Sequence, residues 1–406
     1  MKKLLALLAA LLLVLCSTAY ADTVELEMNY WMSEQEAGIQ AAIDAFNASQ
    51  SEIHVNASTV PWGQYWDKLV TGLPAGSAPD VFSINALNVR DYAKNGYLLD
   101  ISDLFESGRV DLTKFPQHVK DTHTVNGILW GIPKDFDSIA VFYNKDLFDA
   151  AGVAYPADNW TWDEFIATAK ALTDAENGIY GVAVAASGQS WGYDYLFGNG
   201  GRMFDENGAC VVNSPEAAEA FKKLADAILV EGVSPTVEDQ VELNDDTRFQ
   251  SGMVAMIFGG SWNMGTYADV FGDSLGVAPL PIMKERRTVS HCLSWVGAAS
   301  TKHPEEVKTF LAYLGTYEAQ SLTADVVIPA YEGCDDLWAA KFSNYNTAAF
   351  LGAADEGWAV PLPAADTNTQ EIFTRFDDYM TEMLSTGEIE SNLAAMQDEF
   401  NGLLGK

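Results

Sequence analysis

The side chains with most to offer chemically are tryptophans set beside glycine, serine and acids. Of the eleven, Trp31 ends an alternating stretch, and Trp62 and Trp66 stand in Pro61-Trp-Gly-Gln-Tyr-Trp66. Trp160 and Trp162 lie in Asn159-Trp-Thr-Trp162, and Trp191 in Gln189-Ser-Trp-Gly-Tyr193. Trp262 follows Gly259-Gly260-Ser261, and Trp295 lies in Ser294-Trp-Val-Gly297. An indole offers a flat, electron-rich face to the C–H patches of a pyranose ring or to an organic cation. Carboxylates and amides nearby would then accept from and donate to hydroxyls. Each ring serves as readily in core packing, the plainer account for Trp66 and Trp130 inside apolar runs.

Catalytic patterns are sparse by comparison. The histidines are His54, His118, His123, His291 and His303, with no HExxH, so neither a zinc site nor any other metal is expected. No GxSxG elbow occurs, and Gly198-Asn-Gly-Gly201 lacks the Lys-Ser/Thr of a phosphate loop, so no cofactor is expected. Asp205-Glu-Asn-Gly208 is a turn without the remaining ligands of a calcium loop. Asp135 and Asp137 could share a site, as glycoside hydrolysis requires of two carboxylates, but 57 acids always offer pairs.

The excess of those acids over 23 basic residues gives a formal net charge of −34. Such a surface repels phosphate backbones and anionic lipid, which argues against nucleic-acid or peripheral membrane partners. A chain of 406 residues exceeds what one hydrophobic core organises, so two domains are expected. Residues 4–15 form an apolar run behind Lys2 and Lys3, too short for the ~20 residues a bilayer span needs. With Ala19-Tyr-Ala21 they read as a signal peptide, residues 1–21, cleaved before Asp22. Cys16 allows a lipoprotein alternative, though Leu15 sits where a small residue belongs. Cys210, Cys292 and Cys334 leave open one bridge with a free thiol or three isolated thiols.

The elements that must position these residues alternate in type. Val24-Glu-Leu-Glu-Met-Asn-Tyr-Trp31 alternates apolar and polar residues as a strand does, and Ile39, Ile43 and Phe46 recur at helical spacing. A second strand is expected from Ile53 to Ala57, then a helix with Trp62, Trp66, Leu69 and Val70 on one face. Asp80-Val-Phe-Ser-Ile84 follows as a buried strand. Strand–helix–strand–helix–strand predicts a parallel sheet covered by helices. Thr161-Trp-Asp-Glu164 is a capping box, Ser214-Pro215 a second helix start, and the tail from Glu371 to Leu404 is helical by periodicity.

Ala78-Pro-Asp-Val-Phe82, Gly131-Ile-Pro133 through Val141-Phe-Tyr-Asn-Lys-Asp-Leu-Phe148, and Gly259-Gly-Ser-Trp262 carry a resemblance spanning nearly the whole mature chain. The sequence resembles extracellular solute-binding protein family 1, the sugar-binding proteins of ABC importers of the maltose- and glycerol-phosphate-binding class. That resemblance implies an α/β, two-lobed periplasmic-binding-protein fold of type II kind, with hinge-linked parallel and mixed sheets. It places residues 22–134 and 280–328 in one lobe and residues 138–278 and 332–406 in the other. Crossings would fall near residues 134–137, 277–279 and 328–331.

Carried over by motif, ligand contacts would fall on Asn85, Asp137 or the near alternative Asp135, and Trp262 with Ser261. Trp31 and Glu34 or Glu36 match the loop after the first strand, Trp62 joins them, and Trp191 and Trp295 match weaker positions. An Arg that many members carry near Val360-Pro-Leu-Pro363 is missing, which favours a neutral saccharide over a phosphorylated one. The implied protein is a secreted, monomeric, non-catalytic carrier of a mono- or oligosaccharide to an ABC permease. A binder of quaternary amines and a carbohydrate-active hydrolase are the alternatives.

Overall fold

The structure, a computed structural model, describes residues 23–355, 357–365 and 367–406. The signal segment and Cys16 lie outside these. Val24–Tyr30 alternates as expected, with Leu26 and Met28 buried while Glu25 and Glu27 face solvent. It pairs in parallel with Ile53–Thr59 on one side and with Val81–Asn85 on the other. The buried residues of this sheet pack against Ile39, Ile43 and Phe46 of the helix Glu36–Ser49. Beyond Val81–Asn85 the sheet continues with the antiparallel Thr288–Gly297, which also pairs with Ile132–Asp137 and Ala359–Pro361.

A second sheet runs in the order Leu275–Ala278, Ile139–Asn144, Val254–Gly260, Tyr180–Val182. Helices Trp162–Leu172, Pro215–Leu229, Thr369–Thr386 and Ile389–Leu404 contribute to its core. Their starts follow from sequence. The Glu164 N–H donates to Thr161 Oγ1 at 3.3 Å, while Glu164 Oε2 accepts from the Thr161 N–H at 2.7 Å. Ser214 accepts from the Ala217 N–H at 3.2 Å, with Pro215 in the first turn. The tail is two helices rather than one, because Gly387 takes a left-handed φ of 75° that ends the first of them. Cys210, Cys292 and Cys334 are buried free thiols.

The chain is two-lobed, and its crossings lie side by side. Phe136 N–H donates to the Ile328 carbonyl at 3.2 Å, and Ala330 N–H to the Lys134 carbonyl at 3.1 Å. Antiparallel to the first crossing runs Thr288–Gly297, with His291 opposite Asp137 and Leu293 opposite Asp135. This strand begins beyond residues 277–279. After Ala278 the chain stays on the second lobe, where Trp160 Nε1 donates to the Pro279 carbonyl at 2.8 Å. Val289 N–H then donates to the Asp194 carboxylate at 2.7 Å, so the strand leaves the second lobe only after its first few residues.

Candidate ligand-binding cleft

Between the lobes, in front of the crossings, lies a cavity of about 240 Å³. Trp31 reaches it from the end of Val24–Tyr30, and the turn Ser33–Gln35 brings Glu34 to its edge. Trp62 opens the helix Trp62–Ala75 and is 47% exposed, a large apolar ring left facing water. Its centroid lies 5.1 Å from Trp31 and 5.3 Å from Trp66, edge to face, so Trp31 and Trp62 form the first-lobe rim with Trp66 behind them. Asn85 caps the helix Ala86–Lys94. Its Oδ1 accepts from the Asn88 N–H at 3.1 Å, which leaves the amide donors of Asn85 for a ligand.

Asp137 ends the crossing strand Ile132–Asp137, is buried, and accepts a short hydrogen bond from the Ser261 hydroxyl. Burial first and the neighbouring Asp135 second push its carboxyl well above the ordinary range. Trp262 follows at the end of Val254–Gly260, and Gly260 is what lets it lie there. A Cβ at Gly260 would stand 2.2 Å from the indole. The other side of Trp262 meets His291 edge to face at 5.5 Å. Burial drives the His291 imidazole down to about 4, so it is neutral at physiological pH, with Nδ1 3.4 Å from Gln189 Nε2. Desolvation likewise raises the Glu34 carboxyl.

Of the residues singled out in the sequence, the cleft gathers Trp31, Glu34, Trp62, Asn85, Asp137 and Trp262, with Ser261 beneath. Four lie elsewhere. Trp191 is fully buried and stacks on Phe258 at 3.7 Å, because the π turn Gly188–Gly192 directs it into the second-lobe core. Trp295 is buried in the first lobe, its edge against Tyr30. Asp135 is fully buried, pairs with Lys134 and accepts from the Leu293 N–H at 3.0 Å. Glu36 starts the helix Glu36–Ser49, is exposed, and is not among the residues lining the cavity.

Gln189, His291, Leu362 and Phe373 line the cleft without having been singled out. Leu362 brings the Val360-Pro-Leu-Pro363 stretch to this cavity. Among the described residues, no lysine or arginine lines the cavity. Among the described residues no cluster of three or more potential metal ligands occurs, and no helix is long and apolar enough to cross a membrane.

Two lobes with an aromatic and acidic cleft between them define a solute-binding protein. Residues 32–321 match the bacterial extracellular solute-binding protein family, and the chain belongs to it. An arabinooligosaccharide-binding protein of Halalkalibacterium halodurans is 27% identical over 64% of this chain and 60% of its own length. A lactose-binding protein of Rhizobium radiobacter is 25% identical over 96% of this chain and 95% of its own. Among solved structures, a Listeria monocytogenes ABC substrate-binding protein in complex with cycloalternan superposes with a TM-score of 0.88. It is 25% identical, over 95% of this chain and all of that one.

Proposed function

We propose that this protein captures a neutral mono- or oligosaccharide outside the cytoplasm and delivers it to an ABC permease. The observation that carries the reading is Trp262, an indole platform at the cleft beside the carboxyl group of Asp137. An apolar ring face could lie on the indole while Asp137, Asn85 and Glu34 exchange hydrogen bonds with hydroxyls. Among the described residues the lining carries no lysine or arginine to hold a phosphate or a carboxylate. The reading as a binder rests on relatives that are themselves named as binding proteins. Relatives that match it along most of its length are binding proteins named for oligosaccharides and lactose.

Binding would proceed by closure. The ligand docks on one lobe, and contacts from the other favour the closed form by their differential affinity for it. The lobes assigned are residues 22–134 with 292–328, and residues 138–291 with 332–406. The carrier acts as a monomer after cleavage following Ala21, which the mass of the mature amino terminus checks against a lipid at Cys16.

A thermal-shift panel tests the ligand class, with neutral saccharides, uronic acids, sugar phosphates and quaternary amines at matched concentrations. A neutral saccharide at 100 times its dissociation constant stabilises by ~2.7 kcal/mol. Stabilisation by quaternary amines alone would sink the saccharide reading.

A further inference from the structure

Lys134 is 1% exposed, an unusual place for an ammonium group. Its Nζ donates to Gln35 Oε1 at 2.6 Å and pairs with the fully buried Asp135. Asp135 in turn accepts from the Leu293 N–H at 3.0 Å, where the register between the first two crossings shifts by a bulge. The Lys134 carbonyl accepts from Ala330, and Asp135 bridges to Pro329, both on the third crossing. Gln35 is 2% exposed and ends the turn whose Glu34 stands in the cleft. One buried cation thus touches the rim of the ligand site and, directly or through one residue, all three crossings.

We infer that Lys134 is a positioning residue that couples the cleft rim to the hinge, through Gln35 on one side and Asp135 on the other. Displacing the turn without the crossings would separate Lys134 from an acceptor in a site water does not reach, which is costly for a charge. The turn and the hinge therefore move together. Glu34 keeps its place relative to Asp137 while the lobes rotate. The inference rests on the closure reading above, but it makes a claim about the ligand-free protein as well.

The test uses the full mature chain carrying spin labels at Val70→Cys and Val241→Cys. These exposed positions lie on the helices Trp62–Ala75 and Val237–Glu242, one on each lobe, while the native thiols are buried. Inter-lobe distances are measured without ligand, and saccharide affinity and dissociation rate alongside. Gln35→Met removes the rim acceptor and leaves the ion pair. Asp135→Asn keeps an acceptor for Leu293 and removes the charge. Both should broaden the distance distribution and weaken saccharide binding about tenfold, chiefly through faster dissociation, and Gln35→Glu should restore the parent behaviour. Distributions superimposable on the parent's would overturn the coupling. So would weakened binding with unchanged distances, which would make Gln35 a ligand contact only. Should no saccharide stabilise the parent, the saccharide reading fails, and the ligand-free distances still decide the coupling.

Discussion

Trp262 and Trp191 sit in similar local sequence, each after a serine and close to glycine, and the fold gives them opposite environments. Trp262 is part-exposed at the cleft, so Trp262→Ala is expected to weaken saccharide binding about tenfold or more, roughly the worth of one aromatic contact. Titration calorimetry checks the loss, and an unchanged melting temperature shows that the fold is intact. Trp191 is wrapped by Phe165, Tyr195 and Phe258. Trp191→Ala should cost about 3–5 kcal/mol of stability, read by urea unfolding, as emptied aromatic sites in cores do. A variant as stable as the parent would show that the neighbours collapse into the space. The motif order in the sequence was enough to single out Trp262, Asp137 and Asn85. It ranked Trp191 and Trp295 as weaker matches but could not show them buried, because what turns an indole inward is a partner such as Phe258 or Tyr30 remote in sequence. His291, Gln189 and Phe373 went unnoticed for the same reason, since they meet only when the lobes do.

At the scale of elements, the π turn Gly188–Gly192 shows how a local irregularity serves the cleft. It carries Gln189 to the ligand side and Trp191 to the core side, and such turns recur at functional sites. The helix Thr369–Thr386 secures it, with Asp377 Oδ1 accepting from the Gly188 N–H at 2.6 Å. Burial, assisted by Asp378 and opposed by that hydrogen bond, pushes the Asp377 carboxyl up to about 6. An unfolded aspartate titrates near ~3.9, so between these values the folded protein holds a proton that the unfolded chain has lost. The contribution of Asp377 is therefore whole at and below the unfolded value and is lost as pH rises through about 6. Asp377→Asn keeps the acceptor and cannot ionise. Relative to the parent it should be unchanged near pH 4 and more stable by ~2 kcal/mol at pH 7, compared by denaturant unfolding at both. Equal differences at the two pH values would assign the effect to packing. Regular elements were the legible part. The alternation from Val24 and the capping box at Thr161 are local, whereas the break at Gly387 was hidden because apolar spacing continues through it.

For the whole molecule, strands far apart in sequence share one sheet. The strand Thr288–Gly297 pairs with Val81–Asn85 in one lobe, and its start is anchored by Asp194 in the other. A fragment ending at Ser138 lacks that strand, so it should show no cooperative thermal transition by circular dichroism. A sharp transition would mean that the first lobe is complete without its late strand. The formal net charge of −34 adds self-repulsion to every approach between the lobes, and added salt should screen it. The cation that stands at the crossings, Lys134, is shielded from that screening by its burial.

The late arrival of Thr288–Gly297 also sets the order in which the chain can fold. Its partner Val81–Asn85 is made about 200 residues earlier and must wait with an unpaired edge. Closing so long a loop before its contacts form is slow, and an open apolar edge in the interval invites association with other chains. Refolding at high protein concentration should therefore lose yield to aggregation, and a chaperone that shields the nascent first sheet would have the most to protect between the synthesis of these two strands.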